Sequence, residues 1–119
     1  MLYVDDEFIN LLAFKSQFRR DFEVNCAEDV TTALWYLENN NIDFVFTDQR
    51  MPDMLGTDFL SIVKEQFPHV HRIIISGFAE DKTIKQALES GLIEEVYEKP
   101  FRKNDLIACI NKRKDETSN

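Results

Sequence analysis

A chain of 119 residues, 44% of them hydrophobic, suits one domain around one core and leaves no room for a second. Its formal net charge of −8 excludes a phosphate-backbone binder and points to proteins or cations as partners. Two cysteines, Cys26 and Cys109, no signal peptide and no long apolar run give the expectation of a cytoplasmic chain with reduced thiols, off the membrane.

Leu2-Tyr3-Val4 reads as a short first strand, followed at once by Asp5-Asp6-Glu7. Two adjacent acids either cap the next helix, whose dipole welcomes negative charge, or ligate a hard divalent cation through oxygen. The helix carries Phe8, Leu11, Leu12 and Phe18 at helical spacing, and this stripe is expected in the core. Phe22 to Cys26 alternates apolar and polar, as a half-buried edge strand does. Asp29 is the expected N-cap of a helix with Val30, Ala33, Leu34 and Leu37 on one face. Asn39-Asn40-Asn41 should end it, because asparagine tolerates the left-handed conformation of helix ends.

Phe44 to Phe46 is a continuous apolar run, expected as a strand buried on both faces, and it stops at Asp48. Pro52 and Gly56 forbid a simple continuation. An Asp after a strand most often caps a loop; at the carboxyl end of a buried strand it also sits where open α/β sheets hold ligands. Gly56-Thr57 opens a helix with Phe59, Leu60, Val63 and Phe67 inward, stopped by Pro68. His69 and His71 lack a third ligand nearby and are taken as loop and strand-edge residues rather than a metal site.

Ile73-Ile74-Ile75 is a buried strand by composition, ending in Ser76-Gly77. Glu80 and Asp81 suit the start of a helix that buries Ile84, Ala87 and Leu88, and Gly91 suits its C-terminal cap. Ile93 to Tyr97 is a fifth strand, interrupted by Glu94-Glu95 and leading to Lys99-Pro100. The last helix shows Leu106, Ile107 and Ile110, and residues 115–119 are expected as a polar tail or the start of a linker beyond a domain spanning 1–114.

Strand and helix thus alternate five times, which implies a parallel sheet flanked by helices. Asp5, Asp6, Asp48, Ser76 and Lys99 then share one sheet edge. Carboxylates there can hold a cation, a lysine and a hydroxyl can meet phosphoryl oxygens, and one Asp is left as nucleophile.

Val4-Asp5-Asp6-Glu7, Thr47-Asp48-Gln49-Arg50-Met51-Pro52-Asp53-Met54-Leu55-Gly56, Ile75-Ser76-Gly77 and Lys99-Pro100-Phe101 resemble the receiver domain of two-component response regulators, over essentially the whole chain. The resemblance implies a flavodoxin-like (CheY-like) three-layer α/β/α sandwich, with a five-stranded parallel sheet in the order 2-1-3-4-5 and five helices. It implies that Asp48 accepts a phosphoryl group from a sensor histidine kinase or phosphotransfer histidine. Asp6, Asp48 and the Arg50 backbone carbonyl would bind Mg²⁺ (or Mn²⁺) directly, with Asp5 acting mostly through water. Ser76 occupies the hydroxyl position and Lys99 the position that pairs with the phosphoryl group. By the same resemblance, Arg50 and Phe78 would border the path of the hydrolytic water.

The family usually carries an aromatic residue three places before the lysine, where this chain has Val96. The neighbouring Tyr97 should face the other side of the sheet. The implied partners are a phosphodonor protein and a downstream output domain or protein, with a phosphorylation-dependent dimer as a further expectation. Self-catalysed phosphorylation and dephosphorylation of Asp48 are the only expected chemistry, on a stand-alone receiver or an excised N-terminal module. Two alternatives stand beside this reading: a haloacid-dehalogenase-like Mg²⁺-dependent phosphatase, disfavoured by the adjacent Asp5-Asp6 and the lack of a cap, and a non-phosphorylated binding module, disfavoured by an intact site.

Overall fold

Strand and helix alternate along the chain: β1 (Leu2–Val4), α1 (Phe8–Phe18), β2 (Asn25–Ala27), α2 (Val30–Asn39), β3 (Phe44–Thr47), α3 (Gly56–Gln66), β4 (His71–Ser76), α4 (Lys82–Ser90), β5 (Glu95–Glu98) and α5 (Lys103–Thr117). The computed structural model describes residues 1–78 and 80–117, with side chains as far as Lys114. All strand pairings are parallel, in the order β2-β1-β3-β4-β5. The three-layer sandwich expected from the sequence is what forms.

Alternation along the strands divides the core in two. Leu2, Val4, Val45 and Ile74 pack with Val30, Ala33, Leu37, Phe59, Val63 and Ile84 of α2, α3 and α4. On the opposite face Tyr3, Phe44, Phe46, Ile73 and Ile75 pack with Leu11, Phe14 and Phe18 of α1 and with Leu106, Cys109 and Ile110 of α5. The second cluster is aromatic: Phe14 stacks on Tyr3 at 4.2 Å between centroids and lies 4.6 Å from Phe18.

The stripe expected on α1 is half wrong. Leu11 and Phe18 are buried, but Phe8 is 59% exposed and Leu12 51%, while Phe14 takes the central place. The helix is apolar nearly all round, so two faces satisfy helical spacing. The sheet takes the one that carries Leu11, Phe14 and Phe18, each contributing about 1.5–3 kcal/mol on full burial.

Other differences are local. The second strand is Asn25–Ala27 rather than 22–26, and the fifth is Glu95–Glu98 rather than 93–97. Asn40 ends α2 in an extended conformation, φ −136°, not a left-handed one. The asparagines instead cap with their side chains, Asn39 Nδ2 donating to the Trp35 carbonyl at 2.8 Å and Asn40 Nδ2 to that of Tyr36 at 3.3 Å. Leu88, expected inside, is 37% exposed. The expected cap at Asp29 forms, accepting from the Thr32 amide at 2.7 Å. Asp81, expected in the first turn of its helix, stands just before it as the N-cap and accepts from the Thr83 amide at 2.7 Å. Gly91 adopts φ 80°, as a C-terminal cap glycine does.

His71 Nδ1 lies 2.9 Å from Glu94 Oε1, and its ring stacks on Phe44; His69 is exposed. The pair Glu94-Glu95 is tolerated at the edge strand because Arg113 of α5 reaches both carboxylates at 3.3 Å. Helix α5 extends into the segment expected as a polar tail, through Thr117, and the rest of that segment lies outside the described residues. Among the described residues no helix is long and apolar enough to cross a membrane.

Candidate functional site

Backbone pairing continues past the strand ends and sets the site. The Asp5 amide donates to the Ala27 carbonyl at 3.1 Å, that of Asp48 to Val4 at 2.9 Å, and that of Lys99 to Ser76 at 3.0 Å. The residues that follow β1, β3 and β5 are therefore held beside one another at the carboxyl edge of the sheet, with Ser76 at the end of β4. Lys99 and Pro100 are joined by a cis peptide.

Asp5 is fully buried. Its Oδ2 accepts from the Tyr3 hydroxyl at 2.7 Å, Asn10 Nδ2 at 3.1 Å and Lys99 Nζ at 2.9 Å, while Oδ1 accepts from the Glu7 amide at 3.0 Å. Burial works against its charge, but the Glu7 amide, Lys99 and the Tyr3 hydroxyl together outweigh it and hold the carboxyl below its ordinary pKa. Lys99 Nζ also donates to Asp48 Oδ2 at 3.0 Å, so one ammonium bridges two carboxylates. Burial pulls the lysine pKa down; its bonds to Asp5 and Asp48 outweigh that and raise it.

One ligand atom each from Asp5, Asp6 and Asp48 fits within 4.8 Å. Asp6 is exposed and Asp48 is partly so, which leaves oxygens facing solvent on one side. All-oxygen, anionic donors suit a hard divalent cation. Asp5, fully buried and with four donors already engaged, is less open to direct ligation than Asp6 or Asp48.

The loop after Asp48 is braced by a residue the sequence did not single out. Gln49 is fully buried. Its amide donates to Asp48 Oδ1 at 2.8 Å, its carbonyl accepts from the Gly56 amide at 2.8 Å, and its side chain grips Thr57 twice, accepting from the Thr57 amide at 2.9 Å and donating to Oγ1 at 3.2 Å. Gly56 is required by close approach: a Cβ there would stand 2.2 Å from the Asp48 carbonyl oxygen. Asp53 ties the same loop to α2, accepting from the Val30 amide at 2.9 Å.

Ser76 is buried, and its Oγ accepts from the Phe78 amide at 3.0 Å, which leaves the hydroxyl proton to donate. The Arg50 guanidinium lies 3.7 Å above the Phe78 ring and 3.7 Å from Asp81, the N-cap of α4. The two bulky residues on either side of the site thus touch each other. Val96 packs against the α2–α3–α4 face of the sheet and Tyr97 against the α1–α5 face, as the strand alternation predicts.

Tyr3, Asn10 and Gln49 are the site-forming residues that sequence reading missed. Tyr3 had a signal: it sits two places before Asp5 along a strand, so both side chains point to one face. A glutamine inside a loop motif gives none.

Residues 1–111 match the response regulator receiver domain family, and the chain belongs to that family. It is 36% identical over 110 residues to the hydrogenase transcriptional regulatory protein HoxA of Bradyrhizobium diazoefficiens, covering 92% of this chain and 23% of that protein. It is also 36% identical over 88 residues to the chemotaxis protein CheY of Pseudomonas aeruginosa, covering 72% of this chain and 70% of the other. A receiver domain structure from Clostridium thermocellum superposes with a TM-score of 0.88 at 33% identity, over 98% of this chain and 94% of that one. The chain therefore spans under a quarter of the HoxA length, and most of that of CheY. Receiver domains are phosphoacceptors that generally bind Mg²⁺ at an acidic pocket. The phosphatase and binding-only alternatives find no support in these similarities.

Proposed function

We propose that Asp48 is the phosphoacceptor of this receiver, working with Mg²⁺ (or Mn²⁺), Lys99 and Ser76. The observation that carries this reading is the Lys99 ammonium bridging Asp5 and Asp48 beside three convergent carboxylates. An Asp48 carboxylate oxygen attacks the phosphorus of a phosphohistidine; the P–N bond breaks, a P–O bond forms, and the leaving imidazole takes a proton. Asp6, Asp48 and the Arg50 carbonyl would hold the metal, which when bound neutralises charge on the transferring group. Lys99 and the Ser76 hydroxyl would take the phosphoryl oxygens the metal does not. The partners are a kinase or phosphotransfer protein on the donor side and an output domain or protein on the other.

Incubation with acetyl phosphate and Mg²⁺ tests the reading. Intact mass should rise by one phosphoryl group, and chelator should abolish the gain. A gain that persists in Asp48→Asn sinks the assignment.

The Arg50–Phe78 contact bears on lifetime. An exposed cation–π pair is worth on the order of 1 kcal/mol, and if closure over the site excludes the hydrolytic water by that much, decay slows roughly fivefold. Wild type should therefore lose its phosphoryl group about fivefold more slowly than Arg50→Asn/Phe78→Ala. Equal decay rates would remove the argument.

A further inference from the structure

We propose that Tyr3 is a positioning residue for Lys99: its hydroxyl, together with the Asn10 amide, holds the buried Asp5 carboxylate so that the lysine is free to move its hydrogen bond onto a phosphoryl group. The inference rests on Asp48 being the phosphoacceptor.

Lys99 Nζ spends two of its three N–H groups on Asp5 and Asp48. When Asp48 becomes an acyl phosphate it gives up its own carboxylate charge, and the new negative charge lies on the phosphoryl oxygens. The ammonium gains by following that charge, which weakens its hold on Asp5. Asp5 has no exposure through which water could replace the lost donor. Leaving a buried anion short of a donor is costly, and that cost would tether the lysine.

The same oxygen, Asp5 Oδ2, already takes two neutral donors, Tyr3 at 2.7 Å and Asn10 at 3.1 Å. A hydroxyl on a carboxylate at that distance is among the stronger neutral-donor bonds. It cannot swing away either, because the Tyr3 ring is 1% exposed and stacked on Phe14 with 12° between planes. With these donors in place Asp5 stays satisfied whether or not Lys99 stays. Tyr3 touches neither the metal carboxylates Asp6 and Asp48 nor any phosphoryl position; it acts through Asp5 on Lys99.

Tyr3→Phe removes one oxygen atom and keeps the ring that packs. The test measures three quantities: apo melting temperature, Mg²⁺ affinity alone by calorimetry, and affinity for beryllofluoride, a phosphoryl mimic, at saturating Mg²⁺. Tyr3→Phe should keep Mg²⁺ affinity within roughly twofold while losing roughly tenfold in beryllofluoride affinity, the worth of one hydrogen bond to a charged group. In a Lys99→Ala background the same substitution should cost nothing further, because the effect passes through the lysine.

Asn10→Ala, at a half-buried position, should give the same split in smaller measure and carries the test if Tyr3→Phe does not fold. Equal beryllofluoride affinity in wild type and variant overturns the proposal. So does a parallel loss of Mg²⁺ affinity, beryllofluoride affinity and melting temperature, or a loss that persists without Lys99. Wild type that binds Mg²⁺ but no beryllofluoride would overturn the phosphoacceptor reading itself, and this proposal with it.

Discussion

Asp48→Asn should melt higher than wild type in the absence of metal while taking up no phosphoryl group. Asp5, Asp6 and Asp48 offer oxygens within 4.8 Å of one another, and the site's hydrogen bonds include a single ammonium, that of Lys99. Asp48 is thus repelled by two carboxylates and attracted by one cation. That cation keeps its bond to Asp5 when Asp48 loses its charge. The one asparagine oxygen can accept from it or from the Gln49 amide but not from both, which offsets part of the relief. Net relief at a partly solvated site is on the order of 1 kcal/mol, or roughly 4–6 °C for a domain of this size. Added Mg²⁺ should then raise the wild type more than the variant, because it binds the folded site and finds one carboxylate fewer in the variant. Melts of both proteins with chelator and with Mg²⁺ decide it. A lower apo melting point for Asp48→Asn, or equal stabilisation of both by Mg²⁺, would mean that the carboxylates do not act as one site.

Gly56→Ala should be the most destabilising single methyl in the loop. By helix propensity alone alanine gains about 1 kcal/mol over glycine. Here the new Cβ would stand 2.2 Å from the Asp48 carbonyl oxygen and 3.1 Å from the Asp48 carbonyl carbon and Gln49 Cα, all backbone atoms. None of these can rotate aside as a side chain can, and Gln49 is bonded at both its main chain and its side chain. Forcing the loop outward costs about 3 kcal/mol or more and overrides the propensity gain. The melting temperature should fall by roughly 10 °C or more, and the stabilisation by Mg²⁺ should shrink because the loop carries Asp48. A melting point within about 2 °C of wild type would show that the loop yields easily.

The sheet and the site were legible for different reasons. Strands such as Phe44–Thr47 and Ile73–Ile75 announce themselves by unbroken apolar composition, which only a strand covered on both faces requires. Asp48 and Lys99 were legible only in company. Alone, an Asp after a strand most often caps a loop and a Lys before a proline is commonplace, but with Asp5, Asp6 and Ser76 they fall at one edge of a parallel sheet. The face of α1 was not legible, because Phe8, Ile9, Leu11, Leu12, Phe14 and Phe18 leave no polar side to mark the solvent; the choice belongs to the sheet. Phe8, Ile9 and Leu12 consequently form an exposed apolar strip on the helix that follows Asp5 and Asp6. The end of α2 was misjudged for another reason: asparagine can cap with backbone or with side chain, and spacing does not choose between them. Gln49 and Thr57 are eight places apart, and no periodicity links a loop glutamine to a helix threonine.

The Gln49–Thr57 grip has a thermodynamic consequence. It closes the loop from protein groups alone, so the backbone that would meet a cation is organised before the cation arrives. Loading then orders few residues and buries little apolar surface. Its heat-capacity change should lie near zero, and its entropy should come chiefly from water leaving the ion and the carboxylates.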